Sequence, residues 1–319
     1  MFELSGQCNQ RCLFCYNSWK APNAPPTGEL GTAEVEALLD RVIAESRCGT
    51  VSLSGGEPLL RSDIFEIASF IKSRGVSVSI VTNGTLLDEA AADRCVEAKV
   101  DLVQVSLLSE RRELHNRLVG FNGFDGAVDA ILALRKRGVP VATFFVALAD
   151  NIGGFRKTLE LNVLLGVERV ALGRFTPGGE GLPGWERLMP SPEMMDAALE
   201  AAEEMSRRYR LIVSAATPIL PCLHDLARFP RVQFGFCSVA RSDHALFAIG
   251  PEGGLKPCSH SPRILGDLRT KSFAQCVRDP FLLEFAETLP EYCRDCPDAV
   301  MCRGGCRSSA HVSGLSFEA

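Results

Sequence analysis

The sequence predicts an α/β protein, a partial (β/α)6 TIM-like barrel followed by a small cysteine-rich C-terminal domain. Two observations carry that prediction. From residue 2 to about residue 213, β-type runs alternate with helix-type segments at a period of roughly 25 residues, the rhythm of βα units feeding a parallel sheet. Beyond Thr217 the rhythm stops, cysteines become dense, and short apolar runs are broken by Pro251, Gly253 and Gly254. The expected division is residues 1–213 for the barrel and 214–319 for a compact unit held by metal rather than by a large apolar core.

Taken in order, strands are expected at residues 2–4, 51–53, 76–81, 102–107, 141–148 and 169–172. Helices are expected near 33–46, 63–73, 88–98, 125–137 and 155–165. Six such repeats make most of a barrel, since closure takes eight. A Gly- and Pro-rich passage, 176–190, leads to a helix that starts with Ser191 as N-cap and Pro192 in the first turn and runs to about Tyr209.

The 319 residues are 46% hydrophobic, which is enough for a real core and excludes disordered and fibrous classes. With 34 Lys plus Arg against 39 Asp plus Glu the formal charge is −5, and no basic run gathers a polyanion, so nucleic acid is not an expected partner. Neither a membrane-length apolar stretch nor a signal-peptide pattern at residues 1–20 is present, so a cytoplasmic, membrane-free protein is expected. In that compartment 13 cysteines point to metal rather than disulfides. They cluster, three in 8–15 and seven in 237–306, six of the seven in one spacing pattern.

Cys8, Cys12 and Cys15 form C-x3-C-x2-C on the loop after the first strand, at the carboxyl end of the sheet. A thiolate-held iron–sulfur cube and a structural zinc both take four protein ligands, so three thiolates leave one metal corner for an external ligand. A zinc site completed by a distant His or Cys is the alternative reading of the same spacing.

The run from Cys8 to Cys15, with Phe14 in the aromatic position, resembles the signature of the radical SAM family. The resemblance implies a 4Fe-4S cluster whose open iron is chelated by S-adenosyl-L-methionine, with Phe14 and Tyr16 lining the adenine. Gly55-Gly56-Glu57-Pro58, one βα unit later, looks like the family's element for the methionine amino group. Thr82-Asn83-Gly84 ends the third strand as in the family, although a plain turn explains it equally well. At the fourth strand the family pattern is Ser-Leu-Asp. Here Leu108 replaces the aspartate, leaving Gln104 and Ser106 for the ribose. Arg117 resembles a position that pairs with the cosubstrate carboxylate, though an exposed helix arginine is the more ordinary reading.

The C-terminal cysteines read Cys237-x15-Gly253-x4-Cys258, then Cys293-x2-Cys296-x5-Cys302-x3-Cys306. A zinc ribbon is one reading of the last four. The whole pattern resembles the SPASM extension of radical SAM enzymes, which implies one or two auxiliary iron–sulfur clusters. The resemblance assigns Cys237, Cys258 and Cys306 to one and Cys293, Cys296 and Cys302 to the other. The family's seventh cysteine is missing; His311, a carboxylate or an exogenous ligand could stand in, or the chain is truncated. For the Cys237 group the expected replacement ligand is Cys222, with an open iron as the alternative. Cys48, Cys95 and Cys276 read as ordinary buried thiols.

The resemblance implies an oxidoreductase that generates a 5′-deoxyadenosyl radical and modifies, for example by crosslinking, a side chain of a ribosomally made peptide or protein. Its reductant would be of flavodoxin or ferredoxin type. Only seven residues precede Cys8, so a leader peptide is expected to need a separate binding protein. Ser259 and His260 after Cys258, where sulfatase maturases carry an acidic residue, disfavour formylglycine formation. Small-molecule or tetrapyrrole side-chain chemistry is the enzymatic alternative, and a zinc-holding interaction module the non-enzymatic one. No catalytic acid or base stands out; Glu180, Asp243, His244 and His260 are candidates that read equally as loop residues.

Overall fold

A computed structural model describes residues 1–17, 28–237, 239 and 245–314. Asp243 and His244 lie outside the described residues. The six expected strands form: β1 (Phe2–Ser5), β2 (Thr50–Gly55), β3 (Ser77–Thr82), β4 (Leu102–Ser106), β5 (Val141–Ala147) and β6 (Arg169–Arg174). Between them run α1 (Thr32–Ser46), α2 (Ile64–Ser73), α3 (Glu89–Glu97), α4 (Arg112–Val119), α5 (Phe124–Lys136) and α6 (Phe155–Leu164). The short α7 (Trp185–Leu188) precedes α8 (Pro192–Tyr209), whose Ser191 hydroxyl accepts from Met194 N–H at 3.3 Å, as the cap signal predicts.

The parallel run is longer than six. Strands β7 (Ile212–Ala215) and β8 (Gln233–Phe234) continue it, so the boundary expected at residue 213 falls inside β7. On the other edge β9 (Ala248–Ile249) pairs parallel with β1, and β10 (Gly254–Lys256) and β11 (Gly266–Asp267) follow antiparallel. The strand order is β11-β10-β9-β1-β2-β3-β4-β5-β6-β7-β8, an open sheet whose C-terminal strands extend the barrel wall. Among the described residues no helix is long and apolar enough to cross a membrane.

Alternation along the strands sets the two faces of the wall. Phe2, Leu4, Val51, Leu53, Val78, Ile80, Val103 and Val105 are all buried under the helices, each fully buried aliphatic contributing about 1.5–3 kcal/mol. The intervening residues turn to the inner face, where Ser79 and Ser52 share a 2.8 Å hydrogen bond and Gln104 and Ser106 are half-buried. A second core under β5 to β7 packs Phe145, Leu172 and Val213 against Leu159 of α6 and Leu199 of α8.

The N-terminal strand is clamped by the C-terminal segment. The Met1 ammonium donates to the Phe247 carbonyl at 2.8 Å, and Lys256 Nζ of β10 meets Glu3 Oε2 of β1 at 2.5 Å, both side chains nearly inaccessible. Burial pushes the Glu3 carboxyl up to about 7 against the opposing pull of Lys256.

Candidate metal centres and cosubstrate site

The loop after β1 is pinned from two sides. Arg11 N–H and Leu13 N–H donate to the Val119 and Leu118 carbonyls at 3.0 Å each, fixing it to the end of α4. Gly120 must be glycine there: its φ is +62° and an added Cβ would stand 2.7 Å from the Arg11 carbonyl oxygen. Beneath the loop, Phe14 and Cys12 pack on a small core of Leu108, Phe175 and Leu188. Phe14 thus anchors the loop from below. Gly181 N–H of the Gly- and Pro-rich passage donates to the Cys15 carbonyl at 3.3 Å. Cys8, Cys12 and Cys15 are half-buried and stand in no disulfide.

The end of β2 lies against this loop. Gly56 N–H donates to the Ser5 carbonyl at 2.7 Å and Glu57 N–H to the Gln7 carbonyl at 2.8 Å. A Cβ at Gly56 would fall 2.0 Å from the Gln7 oxygen, and one at Gly55, whose φ is +132°, 2.4 Å from the Ser5 oxygen. The two glycines therefore serve the approach of the strand end to the cysteine loop.

Glu57 is wholly buried. Its Oε1 accepts from Thr82 Oγ1 at 2.7 Å and Leu59 N–H at 3.1 Å, and its Oε2 from Asn83 N–H at 2.8 Å. The sequence offered this carboxylate to an ammonium; the structure engages it in joining the ends of β2 and β3. Asn83 continues the chain of contacts, donating to Asn9 Oδ1 at 2.7 Å between the first two cysteines.

Other expected residues are placed differently. Arg117 is exposed and pairs with Asp150 at 3.3 Å on the outer side of α4, the ordinary reading of a helix arginine. Tyr16 turns to the C-terminal cysteines: its ring lies 4.1 Å from that of His260, and its hydroxyl bonds the Ser259 side chain. Burial, with the charges of Glu3, Cys15 and Cys258 adding, pushes the phenol above its usual range. Burial, aided by Lys256 and Arg174, lowers His260 to about 4, so its ring is neutral. Glu180 is exposed.

Sequence reasoning passed over two residues. Asn17 is buried beside the motif, its Nδ2 donating to the Gly55 carbonyl at 3.0 Å while its Oδ1 has no partner among the described residues. Its place two residues after Cys15 was the available signal. Arg174, at the carboxyl end of β6, sends Nη1 to the Phe175 carbonyl and Met189 Sδ, 3.4 Å each. Its Nε is buried without a partner among the described residues. Burial lowers its pKa, opposed by the neighbouring Cys306. Nothing in the sequence around it announced this.

The C-terminal cysteines fall into two groups. Cys258 lies against Ser308, its Sγ 3.0 Å from the hydroxyl, and its thiol is pushed up to about 11 by burial, with Cys306 and Cys237 adding. Cys237 and Cys258 pack with Val239 and Phe285. Cys293 and Cys296 share a turn, Cys296 N–H donating to the Cys293 carbonyl at 3.2 Å. Cys302 accepts from the N–H groups of Gly304 and Gly305, both in the left-handed region. His311 stacks edge-on to Phe281, which packs beside Cys237 and Cys258, on the side of the first group.

A family model described as the radical SAM superfamily matches residues 2–161, and one described as the SPASM iron-sulfur cluster-binding domain matches residues 237–297. The chain belongs to the radical SAM superfamily. Its cofactors are S-adenosyl-L-methionine and iron–sulfur clusters. The donor types fit them: three soft cysteine sulfurs carried on one loop at the mouth of the sheet, and a buried Asn17 Oδ1, without a partner among the described residues, beside the Gly55–Gly56 strip, that suits an ammonium donor.

Among similar proteins, a PqqA peptide cyclase of Granulibacter bethesdensis is 27% identical over 318 residues, covering 97% of this chain and 82% of its own. An AdoMet-dependent heme synthase of Methanosarcina barkeri is also 27% identical, over 335 residues, with 98% and 91% covered. Streptococcus suis SuiB, solved with S-adenosylmethionine, has a TM-score of 0.75 at 16% identity, covering 99% and 74%. The anSMEcpe structure with AdoMet and the Cp18Cys peptide gives 0.73 at 18%, covering 99% and 91%. These two share the fold.

Proposed function

We propose that this radical SAM enzyme oxidatively modifies, for example by crosslinking, a side chain of a ribosomally made peptide. The observation that carries the reading is the contact of Tyr16 with Ser259 and His260, which seats the Cys258 loop directly on the loop of Cys8, Cys12 and Cys15. A radical source and an electron acceptor then face one chamber, an arrangement suited to removing one hydrogen atom and then one electron and one proton from a bound side chain. The PqqA peptide cyclases among its relatives support a peptide as substrate. We propose a barrel that runs through its edge strands β7 and β8, past the boundary at residue 213 expected from the sequence, followed by the auxiliary-cluster unit, in a cytoplasmic protein served by a flavodoxin- or ferredoxin-type reductant and a separate leader-binding protein.

Bound at the mouth, the cluster and S-adenosylmethionine supply one electron and a carbon-centred radical that abstracts hydrogen. Cys8, Cys12 and Cys15 would hold the metal. Gly55, Gly56 and Asn17 would present the methionine end, and Gln104 and Ser106, half-buried on the inner face, would bond the ribose hydroxyls. Glu57 and Asn83 hold the strip and the cysteine loop in register. Tyr16 and His260 wall the chamber and exclude water.

The test is co-expression with short peptides encoded beside the enzyme's gene, followed by mass spectrometry. Loss of two hydrogens at a defined side chain supports the proposal. An unchanged peptide, with turnover of a tetrapyrrole side chain instead, would replace it with the reading that the heme synthase relative favours.

A further inference from the structure

Cys222 belongs to none of the cysteine motifs, and the sequence offered it to the Cys237 group. The structure puts it elsewhere. Its loop turns where Leu223 and His224 N–H donate to the Leu220 carbonyl at 3.0 and 3.1 Å. Leu220 is seated on Gly305, where an added Cβ would stand 2.5 Å from its Cδ2. Gly305 and Gly304 are the residues whose N–H groups face the Cys302 sulfur, so the Cys222 loop is docked on the turn that carries Cys302.

The thiols report the same grouping. Cys222 lies within electrostatic range of Cys293 and of Cys302. Tyr292 has Cys293, Cys222 and Cys302 within the same range. Cys258 has the other set around it, Cys306 and Cys237.

We propose that Cys222 is the fourth thiolate of the Cys293, Cys296 and Cys302 group, closing a four-cysteine set around an auxiliary iron–sulfur cluster. The consequence is a division of labour. A cluster with four cysteine ligands has no vacant iron and serves electron passage, whereas the Cys237, Cys258 and Cys306 group keeps three thiolates and the capacity for another ligand.

The inference rests on the chain carrying auxiliary clusters at all, and the experiment separates the two. The full chain and its Cys222→Ala, Cys293→Ala and Cys237→Ala variants are reconstituted anaerobically. Iron and sulfide per chain and the EPR spectrum of the reduced protein are then measured. Cys222→Ala is expected to lose the same spectral component as Cys293→Ala, with up to about four irons per chain, and the double variant to lose no more. Cys237→Ala should affect a different component. Cys222 is exposed, so the fold should survive its replacement, and circular dichroism with an intact signal from the N-terminal cluster checks this. A Cys222→Ala protein with unchanged iron and spectrum would overturn the proposal, as would a loss matching Cys237→Ala or zinc in place of iron at this site. If the unsubstituted protein itself holds only the N-terminal cluster, the auxiliary-cluster reading fails first.

Discussion

Replacing Glu57 by Gln separates a carboxylate that holds the site together from one that touches the cosubstrate. In the structure the carboxylate is an acceptor on both oxygens, for Thr82 Oγ1 and Leu59 N–H on one and Asn83 N–H on the other. A glutamine has one acceptor oxygen. With that oxygen facing Thr82 and Leu59, its NH2 faces the Asn83 N–H, donor against donor. The change removes one hydrogen bond to a charged group, about 1.5–3 kcal/mol, and weakens the other two, while relief of a buried charge returns part of the loss. A net destabilisation of about 3 kcal/mol is expected, lowering the melting temperature of the apoprotein by roughly 4–5 °C. S-adenosylmethionine affinity of the reconstituted protein, measured by equilibrium dialysis, should fall less than about tenfold, a change of 1.4 kcal/mol. Unchanged melting with an affinity loss near a hundredfold would refute the reasoning and put the carboxylate on the cosubstrate.

Gly56→Ala forces a Cβ to within 2.0 Å of the Gln7 backbone oxygen, so the cysteine loop must shift; iron bound per chain after reconstitution should drop. The comparison is Gly75→Ala, which sits at positive φ (+74°), as Gly56 does not, but meets nothing within 4 Å, and which should keep its iron. His115 is buried, accepts from Leu108 N–H at 3.3 Å, and is lowered by burial to about 4. A base lowered on folding contributes stability above its unfolded value near 6.5 and loses it as pH falls toward 4, up to about 3 kcal/mol. Urea denaturation from pH 7.5 to 4.5 should therefore show a shallower acid-side decline for His115→Gln than for the parent. Equal slopes would contradict the assignment.

The six strands were legible because each carries a short apolar run, with β-branched residues in all but β1, between helix-type segments. Strands β7 to β11 were not, because pairings of two to four residues leave little periodic signal, and because β9 reaches β1 across more than 240 residues of chain. The cysteine loop was legible through its spacing. What the neighbouring residues do was less so. Glu57 has the right chemistry for an ammonium, yet its bonds to Thr82 and Asn83 depend on β2 and β3 ending side by side. Tyr16 was assigned to adenine by position in the motif, whereas its neighbour His260 is supplied from the opposite end of the sequence. Cys222 was grouped by sequence proximity with Cys237, whereas Leu220, two residues before it, docks on Gly305, whose N–H faces the Cys302 sulfur.

The central claim is that Cys8, Cys12 and Cys15 hold an iron–sulfur cluster with a vacant site for S-adenosylmethionine. Chromatographic quantitation of 5′-deoxyadenosine from anaerobically reconstituted protein, dithionite and S-adenosylmethionine tests it most directly. The account predicts product from the parent chain and none from the Cys8→Ala, Cys12→Ala, Cys15→Ala triple variant. No product from a parent chain whose cluster content has been verified, or equal product from the triple variant, would contradict it.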